Sequence, residues 1–344
     1  MSMPDTPLGA LLASAPPVLT DAQATALARD HFGVSGSLRR LTSERDLNFH
    51  IVAPSGQFVL KIANLAEPRP VTNLQTAALL YLERHAPDLP VPRVIHSLDG
   101  RPEVDLPLGL VRLLSYLDGR MMHTAPRTPP LRRAMAAMAA RLTLGLQGFT
   151  HPAATHVLQW DIQHSAKLRP LLPDIDDPHL RTLAADYLNH FDQSVAPRLP
   201  ECRWQVVHND LNPHNVVVDA DDPSRLRGIL DFGDMVHTPL ICDLAIAASY
   251  QIGTADCLTD LTEMATAYHA VLPLTRVEAY LLYDLVLARM VTTIAITSWR
   301  AARYPGNAPY ILRNFASARS GLHALAAIPR DAARAAIARA CGQE

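Results

Sequence analysis

Most of the residues that could do chemistry lie in one stretch, residues 206 to 236. A His-Asn-Asp motif ends at Asp210, Asn215 follows five residues later, and an Asp-Phe-Gly motif begins at Asp231. Phosphoryl transfer from a nucleotide needs one carboxylate aimed at the attacking hydroxyl, and a carboxylate with an amide oxygen to hold the metal on the phosphates. The spacing predicts Asp210 for the first role, and Asp231 with Asn215 for the second.

Short apolar runs are expected to position these motifs. Valine-rich runs at 206–207 and 216–218 flank the first motif, and a third run at 228–230 leads into the second. Because β-branched residues favour strands, each polar candidate should lie at a strand end or in a loop between strands. The cluster Asp221-Asp222-Pro223-Ser224 predicts a turn that pairs the second and third runs and brings the two metal-ligand candidates together.

A lysine inside an apolar run is the second chemical feature. Lys61 follows Val59-Leu60 and precedes Ile62, and lysines rarely occupy such runs without a partner. A strand lysine that grips the nucleotide phosphates is a separate part of kinases, although a solvent-facing strand edge fits the strand alone equally well. In a kinase, the helix predicted after this strand should supply a carboxylate to the lysine; the candidates are Gln75 and, outside the helix, Glu67.

The order of secondary-structure signals predicts an α+β protein with two parts. A capped helix from Thr20-Asp21 to His31 precedes short strands at 38–41, 49–53 and 58–62, which form a small antiparallel sheet. Asp118-Gly119 is a natural hinge, and we place the boundary so that residues 1–114 form the nucleotide-binding part and 115–344 the catalytic part. Further helices are predicted at 72–83, 131–146, 180–195, 243–250, 257–271, 276–303 and 310–328, and further strands at 91–95 and 108–114.

Composition excludes several other classes of protein. The chain has 344 residues, 49% of them hydrophobic, and a formal net charge of −2, so no global field calls for nucleic acid or an anionic membrane. Its four cysteines have no C-x-x-C spacing, which argues against a zinc site and favours free thiols in a cytoplasmic protein. No signal peptide is evident, and Asp284 and Arg289 interrupt the longest apolar stretch, so no membrane span is expected.

The motifs resemble those of the aminoglycoside phosphotransferase and choline kinase superfamily of small-molecule kinases. The likeness runs from about residue 20 to about residue 330. Within the superfamily, the segment Asp231 to Met235 followed by Asp243 to Ala247 looks most like the hydroxylysine kinase branch. The same is true of Asn48 to His50, and of Ser298 to Ala301 with Pro305 to Tyr310.

This resemblance implies a protein-kinase-like two-lobe fold, with a small antiparallel-sheet N-lobe and a larger, mostly helical C-lobe. It implies Asp210 as the catalytic base, Lys61 as the lysine on the phosphates, and Mg²⁺ held by Asn215 and Asp231. It also implies that the nucleotide, ATP or GTP, is bound by the loop from Ser43 to Asn48 and by a hinge strand that includes Leu114 and Tyr116. That loop contains no glycine, and on its own it reads as an ordinary hairpin turn.

Four charged residues are candidates for binding the acceptor. Asp234 and Asp243 could attract an amino group, although Asp243 could equally be a helix N-cap. Arg289 and Arg300 lie eleven residues apart, about three turns along one predicted helix face, and could meet a carboxylate, although surface arginines are commoner.

The leading hypothesis is a kinase of a small hydroxylated amine, with 5-hydroxylysine as the first choice. Homoserine, choline or ethanolamine, and aminoglycosides are the alternatives within this class. A non-catalytic nucleotide-binding protein is the alternative outside it, motivated by Gln75 and the glycine-free loop. A protein kinase is disfavoured because no Ala-Pro-Glu segment follows Asp231.

Overall fold

A computed structural model describes residues 17–43 and 46–343 of the chain. Glu44 and Arg45, in the middle of the expected phosphate loop, lie outside the described residues. The chain forms two compact units. Unit 1 comprises 17–118, 149–158 and 227–233, and unit 2 comprises 119–148, 159–226 and 234–343.

Unit 1 is built on an antiparallel sheet whose strands follow the order β1-β2-β3-β6-β4, with β5 paired to β6. Thr20 and Gln23 form a capping box at the start of the first helix, and Gly33 ends it in a left-handed conformation with φ of 68°. The elements are α1 (Asp21–Phe32), β1 (Ser37–Leu41), β2 (Leu47–Ala53), β3 (Gly56–Ile62), α2 (Arg69–His85), β4 (Val94–Ile95), β5 (Val104–Leu106) and β6 (Gly109–Ser115).

Side chains along β2 and β3 alternate between a buried apolar face and an opposite face that carries Lys61. Phe49, Ile51, Leu60 and Ile62 are buried together with residues of α1 in the core of unit 1. Lys61 points to the opposite face, where its side chain is 12% exposed. The hydrophobic pattern of the strands therefore fixes which way the lysine points.

Unit 2 is mainly helical, with two short strand pairs, β7 with β9 and β8 with β11. Together with the sheet of unit 1, this confirms the predicted α+β class. The elements are β7 (Arg120–Met121), α3 (Pro129–Gly145), α4 (Pro178–His190), β8 (Trp204–Val207), β9 (Val216–Val218), β10 (Leu226–Ile229), β11 (Val236–Pro239), α5 (Ile241–Gln251), α6 (Cys257–His269), α7 (Arg276–Arg303), α8 (Ala308–Ile311), α9 (Phe315–Ala326) and α10 (Arg330–Ala340). β10 begins in unit 2, and its last three residues belong to unit 1.

The predicted division at residue 114 differs from the observed one, because two later segments join unit 1. In the segment 149–158, His151 Nε2 lies 3.2 Å from Asn73 Oδ1 on α2. In the segment 227–233, the amide of Ile229 donates to the carbonyl of Pro90 at 2.9 Å. These contacts join residues far apart in sequence, so no local signal marked them.

Three stretches of unit 2 also differ from the sequence-based prediction. Residues 310–328, predicted as one helix, form α8, a 3₁₀ turn at Leu312–Asn314 and α9. The last helix, α10, was not predicted. A 3₁₀ segment at Ile162–Asp174 was also not predicted, and it contains Pro170 and Pro173, which remove the amide donors that a regular α-helix needs.

The helix α7 is the centre of unit 2. It is long and apolar enough to cross a membrane by length and composition, and it is the one such helix in the described ranges 17–43 and 46–343. Of its most apolar window, 94% is buried inside the fold. Its apolar surface is therefore covered by neighbouring helices, and α7 is the core helix of unit 2.

A fully buried carboxylate on α7 holds the C-terminal helix in place. The side chain of Asp284 accepts from Arg334 Nη2 at 2.8 Å and lies 3.4 Å from Arg330 Nε, both on α10. His190 Nε2 approaches the same carboxylate at 3.1 Å. Burial lowers the pKa of His190, so the two arginines are the main charge partners of Asp284.

We expect Asp284→Asn to lower the free energy of unfolding by about 3 kcal/mol, because it leaves buried arginine charge without a carboxylate. Urea denaturation followed by circular dichroism measures this. Asp331→Asn is the matched control: it removes a 98% exposed carboxylate that contacts the same Arg334 at 3.5 Å, so its effect should be much smaller. Equal losses in the two variants would contradict the assignment.

Candidate active site

The loop between β8 and β9 carries the His-Asn-Asp motif, and a buried carboxylate fixes its shape. Asp243, on α5, accepts from the backbone amides of His208 at 3.1 Å and Asn209 at 2.7 Å. Asn209 adopts a left-handed conformation with φ of 64°, which is uncommon for a residue other than glycine. The two bonds hold the chain in this turn, so that Asp210 leaves the end of β8 in one defined direction.

This position of Asp243 does not suit a substrate contact. Its side chain is fully buried, and burial raises the pKa of the carboxyl group. The alternative role as a helix N-cap is also wrong, because Leu240 is the N-cap residue of α5 and Asp243 is its third helical residue. Asp243 instead positions the loop that carries Asp210.

Four side-chain and backbone contacts orient Asp210. Asn215 Nδ2 donates to Asp210 Oδ2 at 2.7 Å and to its backbone carbonyl at 3.1 Å. Asn212 Nδ2 donates to the same Oδ2 at 2.8 Å, and Arg289 Nη2 donates to Oδ1 at 2.8 Å. The carboxylate remains 20% exposed, which leaves it accessible to an acceptor molecule.

Arg289 is committed to the protein. It is 2% exposed, and besides Asp210 it donates to the Trp160 carbonyl at 3.2 Å and to the Tyr250 hydroxyl at 3.1 and 3.3 Å. The predicted contact with a substrate carboxylate does not fit these bonds, because every nitrogen of the guanidinium already has an acceptor. We correct its role to positioning Asp210.

The other two acceptor candidates are also largely buried. Asp234 is 8% exposed, and its negative charge acts on Arg289. Arg300 is 6% exposed; burial, and then the like charge of Arg313, lower the pKa of its guanidinium. The like charge of Arg313 shows that cationic groups collect in this part of unit 2.

In unit 1, Lys61 lies between two carboxylates. Its Nζ is 3.8 Å from Asp46 Oδ2 and 3.8 Å from Asp231 Oδ1. Asp231 adopts a left-handed conformation with φ of 54°, and its Oδ1 accepts from the amide of Gly233 at 3.3 Å. The lysine and the first residue of the Asp-Phe-Gly motif, predicted separately, are thus brought together.

The expected partner of Lys61 is corrected, because neither Gln75 nor Glu67 fills that role. Gln75 Oε1 accepts from the buried Arg112 at 3.0 Å, and its Nε2 lies 3.4 Å from Glu67 Oε2. Asp46, in the polar turn before β2, supplies the carboxylate instead. The hairpin register could have indicated it, since Lys61 pairs across the strands with Asn48, two residues after Asp46.

The residues predicted to contact the nucleotide lie in a partly described loop and in the sheet of unit 1. Ser43 precedes the undescribed Glu44 and Arg45, so the loop between it and Asn48 is only partly described. Leu114 is paired with strands on both sides, and Tyr116 stacks on His50 at 4.0 Å while its amide donates to the Gln57 carbonyl. The backbone of the expected hinge is therefore largely occupied by the sheet.

The described residues contain no cluster of three or more His, Cys, Asp or Glu side chains that could hold a metal. The predicted pair of an aspartate and an asparagine does not need such a cluster. Asn215 directs its Nδ2 to Asp210, which leaves its Oδ1 for another partner. Carboxylate and amide oxygens are the ligands that Mg²⁺ prefers, and it commonly uses one or two from the protein together with phosphates and water.

Comparison with known proteins agrees with this chemistry. The model of the phosphotransferase enzyme family (APH) matches residues 37–282. The hydroxylysine kinase of Danio rerio is 31% identical over 317 residues, covering 86% of this chain and 88% of that protein. The homoserine kinase of Methylobacillus flagellatus is 28% identical and covers 66% of this chain and 68% of that protein.

A solved structure confirms the fold. The amicoumacin kinase in complex with AMP-PNP, Ca²⁺ and Ami superposes with a TM-score of 0.68 at 14% identity, covering 91% of this chain and 97% of that chain. The resemblance drawn from the motifs is thereby confirmed over most of the chain. The protein belongs to the phosphotransferase enzyme family and is a small-molecule kinase that transfers phosphate to a hydroxyl group.

Proposed function

We propose that the acceptor is a hydroxylated amino acid, with 5-hydroxylysine as the first candidate and ATP or GTP as the donor. The observation that carries the reaction is the carboxylate of Asp210, which Arg289, Asn212 and Asn215 hold at 2.7 to 2.8 Å while part of it stays exposed. The similarity to hydroxylysine kinases over 86% of the chain supports the acceptor class.

In the proposed reaction, Asp210 accepts the proton of the acceptor hydroxyl as its oxygen bonds to the γ-phosphorus. The bond from that phosphorus to the β,γ-bridging oxygen breaks, and the nucleoside diphosphate leaves. Positioning and charge stabilisation supply most of the catalysis in such transfers. The fixed orientation of Asp210 is the protein's contribution at the acceptor side.

The donor side of the proposal rests on Lys61 and on two oxygen ligands. Lys61 is held by carboxylates at 3.8 Å, distances long enough for a phosphate to replace them as its closest partner. Asp231 and Asn215 would hold a divalent metal, most simply Mg²⁺, which would neutralise phosphate charge when bound. Both residues stay predicted ligands.

Homoserine is the second candidate, favoured by the similarity to a homoserine kinase over two thirds of the chain. Choline, ethanolamine and aminoglycosides remain alternative acceptors in the same reaction class. A cytoplasmic location stays a prediction, motivated by four cysteines that are free and buried. The non-catalytic alternative is set aside, since the family is shown and Asp210, Asn215 and Asp231 are all present.

A substrate panel tests the proposed acceptor. Assayed with ATP and with GTP, the enzyme should phosphorylate 5-hydroxylysine with a kcat/KM at least about tenfold above that for choline, ethanolamine or an aminoglycoside, the effect of one additional charged contact. Lysine, which lacks the hydroxyl, is the control and should give no turnover. A preference for choline or an aminoglycoside would overturn the amino-acid assignment.

Replacing Asp210 tests the proposed base. Asp210→Asn should lower kcat by about 10²- to 10⁴-fold, because general-base catalysis typically contributes that factor, while nucleotide binding survives. Asp186→Asn, an exposed carboxylate of unit 2, is the control and should keep wild-type kcat. An Asp210→Asn enzyme that retains more than about a tenth of kcat would rule out the role.

Arg289→Lys tests whether this residue positions Asp210 or binds substrate. A lysine keeps the charge but cannot bond Asp210, Tyr250 and the Trp160 carbonyl together, so kcat should fall about 10- to 100-fold. The ratio of KM values for 5-hydroxylysine and its decarboxylated analogue should not change. A selective rise of KM for the carboxylated substrate would show instead that Arg289 binds the carboxylate.

A further inference from the structure

A cleft of about 230 Å³ lies beside the loop that carries Asp210, entirely within unit 2. Pro213 and His214 of that loop form one wall. Tyr250, whose hydroxyl accepts from Arg289, forms another. The wall residues that matter below are Arg127, His123, His214, Gln251 and Arg313.

The charge of this cleft is positive. Arg127 donates to the Ile252 carbonyl at 3.2 Å and to Ser317 Oγ at 2.7 Å, and Arg313 donates to the Tyr310 carbonyl at 3.1 Å. Within 17–43 and 46–343, no carboxylate lies within ion-pair distance of either guanidinium, and no acidic residue lines the cleft. By contrast Arg132, a few residues along the chain, is paired with Asp260 and Glu263. The two cleft arginines therefore have charge available for an anion.

Two histidines and a further arginine lie near these two arginines. His123 and His214 are stacked with ring centroids 4.2 Å apart. Arg300 has its pKa lowered by burial and by Arg313. An anion bound here would reduce the repulsion between the guanidinium groups of Arg300 and Arg313.

The oxygen of a buried side-chain amide in the same wall lacks a partner among the described residues. Gln251 is 2% exposed, and in the described part of the chain its Oε1 has no hydrogen-bond donor. Its Nε2 has only a weak contact, 3.9 Å from Met122 Sδ. Buried polar groups in native proteins usually have a partner, so an orphaned amide in a cleft wall points to a ligand.

We propose that this cleft binds the α-amino-acid end of the acceptor, with Arg127 and Arg313 on its carboxylate and Gln251 Oε1 facing its ammonium. The inference rests on the proposed function. It supplies a cationic partner for the substrate carboxylate, a role that Arg289 cannot fill because its nitrogens are already bonded within the protein. A guanidinium fork matches the two oxygens of a carboxylate. The cleft is next to the Asp210 loop, so an acceptor that occupies it can extend its hydroxyl-bearing end towards Asp210.

Arg313→Ala tests the proposal with substrates that differ only in the carboxylate. These are 5-hydroxylysine with its decarboxylated analogue, and homoserine with 3-aminopropanol. The kcat/KM for each carboxylated substrate should fall about 10- to 100-fold relative to its partner, the loss expected for one charged hydrogen-bonded contact. Arg313→Lys should lose less, because it keeps the charge without the fork.

Arg319→Ala is the matched control, since it removes an exposed arginine outside the cleft, on α9, the helix that directly follows the turn of Arg313. It should leave the ratio of the kcat/KM values for the two substrates of each pair unchanged. Arg127→Ala is a secondary variant because Arg127 also bonds Ser317 and Ile252, so its melting temperature must be compared with that of the wild type.

The outcomes separate this inference from the proposed function. One outcome is that the wild type phosphorylates a hydroxylated amino acid while Arg313→Ala lowers kcat/KM equally for both substrates of a pair. In that case the proposed carboxylate site is wrong and the proposed function stands. If Arg313→Ala instead raises KM for the nucleotide alone, the cleft binds donor phosphate and the inference is overturned. If the wild type phosphorylates no amino acid, the proposed function itself fails.

Discussion

The ion pair between Arg289 and Asp210 is the interaction on which the candidate site in unit 2 depends. A guanidinium that is 2% exposed would be very costly without an anion, and α7 brings it 2.8 Å from the carboxylate of the loop after β8. The core helix and the loop are therefore held in a fixed relation to each other. The apolar residues of α7 bury the helix in the core. Through its bond to Asp210, Arg289 fixes the position of the loop relative to this helix.

Asp243 completes this arrangement from the other side of the loop. A left-handed residue other than glycine costs about 1 to 3 kcal/mol, and the two bonds from the amides of His208 and Asn209 to one buried carboxylate offset that cost. The interactions that compensate the strained backbone thus come from a residue of α5 and not from the loop itself. If Asp210 is the base, as proposed, an acceptor would meet a carboxylate whose direction is already fixed, and such preorganisation lowers the barrier to proton transfer.

The sequence predicted what is encoded locally. The order from Asp210 to Asn215 to Asp231, the hairpin of β2 and β3 and the bounds of α7 all follow from short-range patterns, and the structure reproduces the hairpin and the helix. The partner of Lys61 and the role of Arg289 were missed, because both depend on contacts between distant elements: Arg289 and Asp210 are 79 residues apart. The break between α8 and α9 was missed for a different reason, since the apolar spacing continues through a 3₁₀ turn that only packing reveals.

The distribution of charge within unit 2 also bears on the choice among the proposed acceptors. Asp234 and Asp243, which an amine could have used, are buried and act on Arg289 and on the backbone of the loop. The accessible cleft next to that loop carries two arginines and no acid. A polycation such as an aminoglycoside, or a quaternary amine such as choline, would meet like charge there, and juxtaposed like charges disfavour binding strongly. A zwitterion bound as proposed would not have this problem, because its carboxylate would face the arginines and its ammonium the unpartnered oxygen of Gln251. The charge distribution thus supports the proposed amino-acid acceptor over a simple amine, independently of any relative's substrate.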